Sequence, residues 1–149
     1  DELTGLPNRR SWEEELHREV ARAGRHDHPL CVAMLDLDAF KAYNDAHGHQ
    51  AGDALLCEAA AAWRTTIRVS DFIARYGGEE FAVLLPEAPP DAADEAVERL
   101  RAATPSGQTC SAGIAWWDGS EAPESLVARA DKALYEAKRG GRNRAVIAL

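Results

Sequence analysis

The chain has 149 residues, enough for one domain with a single core. Its 46% hydrophobic and 28% charged content is that of a globular chain and excludes intrinsic disorder. With 25 acidic against 17 basic residues the net charge is −8, which argues against non-specific binding to nucleic acid or contact with an anionic membrane. No apolar run approaches the roughly 20 residues that span a bilayer, and no secretory signal pattern opens the sequence. Cys31, Cys57 and Cys110 are scattered and odd in number, as expected of core residues in a reducing, cytoplasmic compartment.

In chain order, Ser11-Trp12-Glu13-Glu14 has the form of a capping box, with Trp12, Leu16 and Val20 following at helical spacing. Gly24 and Pro29 bracket a polar loop. Leu30 to Leu37 reads as a buried central strand and Phe40 to Ala46 as a short helix. A long helix is predicted from about Asp53 to Ile67, with Leu55, Leu56, Ala59, Ala60 and Trp63 inward. Phe72 to Tyr76 and Glu80 to Leu85 are strands joined at Gly77-Gly78, a hairpin signal. Asp91 to Ala103 reads as a helix with Ala92, Ala96 and Leu100 inward. Cys110 to Trp117 is a strand, Pro123 to Arg139 a helix stopped by Gly140-Gly141, and Arg144 to Leu149 a closing strand. The expected fold class is α+β, an α/β sandwich of helices on a mostly antiparallel sheet.

Four segments carry residues suited to chemistry. Asp36 and Asp38 share a face where a rigid strand ends, with the Leu37 carbonyl between them, a set of hard oxygens suited to Mg²⁺. Taken alone, the pair reads slightly better as acids that end a strand. Gly77-Gly78-Glu79-Glu80 offers positive φ, close approach to a ligand and two carboxylates, but by itself is more simply a solvated hairpin tip. Lys138-Arg139-Gly140-Gly141-Arg142-Asn143 ends a helix, where cations complement the dipole or could equally grip terminal phosphates. Gly48 to Asp53 is a glycine-punctuated loop entering a helix, whose Asp53 is either an N-terminal helix acid or, with Asn44, an acceptor for purine N–H groups. The histidine pairs lack the partners that zinc requires.

Together these segments resemble the GGDEF family of diguanylate cyclases along nearly the whole chain. Asp1-Glu2-Leu3-Thr4-Gly5-Leu6-Pro7-Asn8-Arg9-Arg10 is similar to the family's entry motif. Leu35-Asp36-Leu37-Asp38-Ala39-Phe40-Lys41, Asn44-Asp45 and Gly48-His49 through Gly52-Asp53 match its second block. Arg75-Tyr76-Gly77-Gly78-Glu79-Glu80-Phe81 is the name-giving motif in its GGEEF form. Ala130-Asp131-Lys132-Ala133-Leu134-Tyr135 with Lys138 and Gly141-Arg142-Asn143 matches the closing block.

The resemblance implies a palm-like nucleotidyl cyclase fold over residues 1–149, one domain served by an upstream sensor and linker outside this chain. It implies an enzyme that condenses two GTP into cyclic di-GMP and two pyrophosphates across a homodimer. Asp36, the Leu37 carbonyl, Glu79 and Glu80 would hold two Mg²⁺ (or Mn²⁺) ions. Glu79 would accept the proton, and Lys41 would stabilise charge in the transition state. Asn44 and Asp53 would read guanine, with Leu56 lining its slot and His49 nearby, while Lys138 and Arg142 would hold the γ-phosphate. Arg68-Val69-Ser70-Asp71 matches the family's product-inhibition site, with Arg99 completing it from a neighbouring domain. Two competing readings are a non-catalytic GTP or cyclic di-GMP sensor and another palm-type cyclase. The first is disfavoured by intact Asp36, Glu79 and Glu80, the second by Asn44 and Asp53. The connection Arg101–Thr109 is short for the family.

Overall fold

The computed structural model describes all 149 residues. In order they form α1 (Arg9–His26), β1 (Leu30–Leu37), α2 (Phe40–His47), α3 (His49–Thr66), β2 (Phe72–Arg75), β3 (Glu80–Pro86), α4 (Pro90–Ala102), β4 (Cys110–Trp116), α5 (Pro123–Arg139) and β5 (Ala145–Ile147). The five strands make one sheet in the order β2-β3-β1-β4-β5. Three of its four pairings are antiparallel and β4–β5 is parallel, which meets the expectation of a mostly antiparallel sheet flanked by helices. No helix is long and apolar enough to cross a membrane.

β1 lies at the centre with every residue buried, because both faces of the sheet are covered. Val32 and Met34 face α1 and α5, in a cluster with Trp12, Leu16, Leu126 and Leu134. Cys31, Ala33, Leu35 and Leu37 face α3 and α4, packing with Leu55, Trp63, Phe81, Val97 and Leu100. On that side the Trp63 indole N–H donates to the Leu100 carbonyl at 2.9 Å, tying α3 to α4. On the other, α5 lies directly on β4 at Gly113. A Cβ there would sit 2.1 Å from the Ala130 carbonyl oxygen, so only glycine allows this approach.

Several sequence expectations are corrected. The cap of α1 is Asn8, whose side chain accepts from the Ser11 N–H at 2.9 Å, so Ser11 sits inside the helix rather than opening a capping box. The helix runs on through Gly24 to His26, where Asp27 ends it in the left-handed region. The long helix begins at His49, four residues before Asp53, because Gly48 (φ +93) alone makes the break from α2. In α4 the inward residues are Ala93, Ala96, Val97 and Leu100, packed against the sheet, and Ala92 is exposed. Gly77 and Gly78 are not among the positive-φ residues, so the motif turn does not use them for handedness. No strand lies between α4 and β4.

Candidate active site

The active-site candidates gather where β1 leaves the sheet. Antiparallel register places Asp36 directly opposite Glu80, on the face toward α5. Like charges opposite one another across a ladder destabilise it unless a cation lies between them. One is present: the Lys138 ammonium, from the last turn of α5, pairs with Asp36 Oδ2 at 2.5 Å. It does not suffice. Burial, followed by repulsion from Glu79 and Glu80, outweighs Lys138 and pushes the Asp36 carboxyl up to about 6. Two neighbouring glutamates thus both act on Asp36, because the turn brings Glu79 round to the same end. The Glu79 carbonyl accepts from the Leu37 N–H at 3.3 Å, fastening the motif to the last residue of β1.

A cleft of about 180 Å³ opens here, lined by Asp36, Leu37, Lys41, Glu79, Lys138 and Arg142 among others. Six of the sequence-predicted residues therefore share one space, with Glu80 behind them in the ladder. Lys41 comes from the first turn of α2, which Ala39 enters in the left-handed region (φ +54). Arg142 comes from the loop after α5.

Asn44 lies one turn beyond Lys41 on α2, so the two share a helix face. Its side chain rests on Gly52 of α3, where a Cβ would fall 1.6 Å from Asn44 Oδ1. That oxygen is buried and has no hydrogen-bond partner. An orphaned buried acceptor is costly, and a ligand N–H is the kind of group that would relieve it. Asp53 and His49 are exposed beside it, on the first turns of α3. Leu56 is only 2% exposed and belongs to the core between α3 and the sheet.

At the other end of the β1–β3 ladder, Arg68 and Asp71 close on one another. The Asp71 carboxylate accepts from the Arg68 backbone N–H at 2.9 Å and from its guanidinium at 2.6 Å and 3.0 Å. The guanidinium also donates to the Pro86 carbonyl at 2.8 Å. Arg99 of α4 lines the same shallow cleft as Arg68 within one chain.

The structure adds residues that motif reading passed over. Arg75 pairs with Asp1 at 3.2 Å and donates to the Gly78 carbonyl at 2.7 Å, binding the entry segment to the motif turn. Arg9 lies over the Tyr76 ring at 4.2 Å. Asp38, two residues beyond Asp36, accepts from Ser111 Oγ at 2.6 Å, Thr109 Oγ1 at 2.7 Å and the Asn143 N–H at 2.9 Å. The β1–β4 pairing supplies the two hydroxyls and the loop after α5 the N–H, and no local pattern around Asp38 announces them.

Comparison with known proteins settles the family. The model of the family described as "Diguanylate cyclase, GGDEF domain" matches residues 1–144. The chain belongs to the GGDEF family. The GGDEF domain is 49% identical to the diguanylate cyclase DgcP of Pseudomonas aeruginosa, over 99% of this chain and 24% of that protein. It is 39% identical to the diguanylate cyclase DosC of Escherichia coli, over 97% of this chain and 34% of that one. The domain thus spans about a quarter to a third of these curated relatives. Among solved structures, diguanylate cyclase SiaD of Pseudomonas aeruginosa, in complex with its activator SiaC, superposes with a TM-score of 0.95 at 41% identity. That match covers 99% of this chain and 61% of SiaD. The GGDEF domain of DgcB from Caulobacter crescentus, in complex with cyclic di-GMP, superposes at 0.93 with 36% identity, covering 99% of this chain and 94% of that one.

Proposed function

We propose that this domain condenses two GTP molecules into cyclic di-GMP, releasing two pyrophosphates. The observation that carries this reading is the acidic group of Asp36 and Glu79, with Glu80 opposite Asp36 in the ladder, sharing one cleft with Lys138 and Arg142. It is too negative for the cations the chain itself provides, and it stands beside groups suited to phosphates. The all-oxygen donor set fits Mg²⁺, and Mn²⁺ as a substitute. We assign Asp36, the Leu37 carbonyl, Glu79 and Glu80 as ligands for two such ions. When bound, they would neutralise the triphosphate and acidify the attacking 3′-hydroxyl.

Each 3′-oxygen attacks the α-phosphorus of the other nucleotide, the bond to the β-phosphate oxygen breaks, and pyrophosphate leaves. Glu79, at the rim of the cleft, takes the 3′-hydroxyl proton. Lys41 faces the charge that develops on the reacting phosphate, and Lys138 and Arg142 hold the γ-phosphate. The orphaned Asn44 Oδ1 accepts from guanine, with Asp53 reading a second N–H, His49 at the pocket's margin and the core residue Leu56 backing α3. One chain binds one nucleotide, so two copies must face each other about a two-fold axis. Arg68 and Asp71, with Arg99, bind the product and hold the domain in check. Residues 1–149 form one catalytic unit, governed by a sensor segment elsewhere in the full-length protein. Its compartment is the cytoplasm, where GTP and Mg²⁺ are supplied.

The deciding experiment is incubation with GTP and Mg²⁺, followed by chromatography for cyclic di-GMP. Specific activity should rise with protein concentration. Absence of product from a domain dimerised through a fused coiled coil would overturn the reading.

A further inference from the structure

We infer that Asp38 is a positioning residue, which holds Arg142 at the triphosphate by fixing a strained loop rather than by touching metal or substrate. The inference rests on the assignment of Arg142 to the γ-phosphate.

Asp38 is a buried carboxylate, 8% exposed, at the wall of the same cleft, and the proposed chemistry does not use it. Its acceptors are filled by two hydroxyls and one backbone N–H, and the chain on either side is pinned as well. Asp38 donates its own N–H to the Thr109 carbonyl at 2.9 Å. It is therefore a rigid post between β1 and β4.

What the post holds is the turn after α5. Gly141 (φ +117), Arg142 (φ +63) and Asn143 (φ +48) lie consecutively at positive φ. For glycine this is easy, but for arginine it is strained, and such conformations persist only where surroundings over-determine them. Two contacts do so at Asn143. Its N–H donates to Asp38 Oδ2, and its Oδ1 accepts from the Arg101 guanidinium at 2.9 Å. Arg101 is itself steadied by Glu98 at 2.5 Å and by the Cys110 carbonyl at 3.3 Å. Arg142 makes no side-chain ion pair in this network, so its guanidinium is exposed and presented to the cleft. Loss of the Asp38 bond would let residues 142–143 relax to ordinary backbone angles, and the guanidinium would swing off its line.

The consequence is specific to the terminal phosphate. Asp38→Asn should reduce the preference for GTP over GDP roughly tenfold, about one charge-assisted contact. KM for GTP should rise with it while kcat changes less, and Arg142→Ala should show the same pattern. Thr109→Val removes another donor to Asp38 without touching the loop. It should lower the melting temperature yet keep the GTP-to-GDP preference within about twofold, the scatter of a neutral change.

The measurement is binding of GTP and of GDP by calorimetry in Mg²⁺, alongside turnover in the coiled-coil dimer. If Asp38→Asn weakens GTP and GDP equally, or leaves their ratio at the wild-type value while Arg142→Ala lowers it, the inference is overturned. Should Asp38→Asn not fold, Asp38→Ser, which draws the acceptor back from the Asn143 N–H, takes its place, with an unchanged ratio again overturning it. A wild-type domain without preference for GTP and without product would instead defeat the underlying functional reading, and the two failures are distinct.

Discussion

The two ends of the β1–β3 ladder handle charge in opposite ways. At the Asp36 end, three carboxylates crowd one side of a cleft with only Lys138 in contact, and burial leaves the Asp36 carboxyl near 6. At the Pro86 end, Asp71 is locked to Arg68 by a backbone and a guanidinium contact, and its side chain is 1% exposed. The first group is electrostatically unfinished and needs incoming cations. The second is closed, so a ligand there must work with what Arg68 has left: its Nε and one terminal nitrogen are committed to Asp71 and Pro86. One end keeps like charges pressed together, and the other holds its charges as a latch already fastened.

The contrast can be broken hardest at the open end. Glu79→Gln should lower turnover by roughly 10²–10⁴-fold, the range for loss of a general base. Product chromatography would show it, and a variant within threefold of wild type would remove Glu79 from its assigned role. The nucleotide side of the same end is tested by Gly52→Ala. The new Cβ would displace Asn44, and KM for GTP should rise about tenfold or more, as expected for one lost base contact. An unchanged KM in initial-rate assays would separate Asn44 from guanine.

At the closed end, Arg68→Ala should leave Asp71 buried without its guanidinium. A stability loss of about 1–3 kcal/mol is expected in urea titrations. Inhibition by added cyclic di-GMP should disappear in the same variant, and inhibition that persists would refute the site. The smallest effect belongs to a second closed pair, Glu121 with Arg129, joined at 2.5 Å. The hydrogen bond from Arg129 holds the Glu121 carboxyl below its ordinary value. A depressed carboxyl contributes stability above its unfolded pKa of about 4.5, lost as pH falls through the lower folded value. Glu121→Gln should therefore be slightly less stable at pH 7 and show a shallower loss on acidification below about pH 4.5, measured by thermal melts across pH.

Much of this was legible in the sequence because the signals were local. The continuous apolar run Leu30–Leu37 announced a strand covered on both faces, and Pro123 with Gly140-Gly141 bounded α5 without error. Asp36, Glu79 and Glu80 stand out in the sequence because the family pattern spans them in order. What escaped depended on partners distant in sequence. Ala92 and Ala93 are indistinguishable by composition, and only the packing of α4 on β4 decides which faces inward. The Asn8 cap was masked by a competing Ser11 pattern that fits the same rule. Asp38 looked like the twin of Asp36, yet the β1–β4 register hands it Ser111 and Thr109 and gives it a different task. The motif glycines were expected to turn through positive φ, but hydrogen bonds from Tyr76 and Gly77 N–H to the Glu80 carbonyl close that turn without it.

The pairing of Asp1 with Arg75, and of Arg75 with the Gly78 carbonyl, makes a mechanical linkage. Arg75 is the pin of a lever whose short arm is the turn that carries Glu79. A tug on the backbone at Asp1 must therefore either shear that pin or tilt the turn.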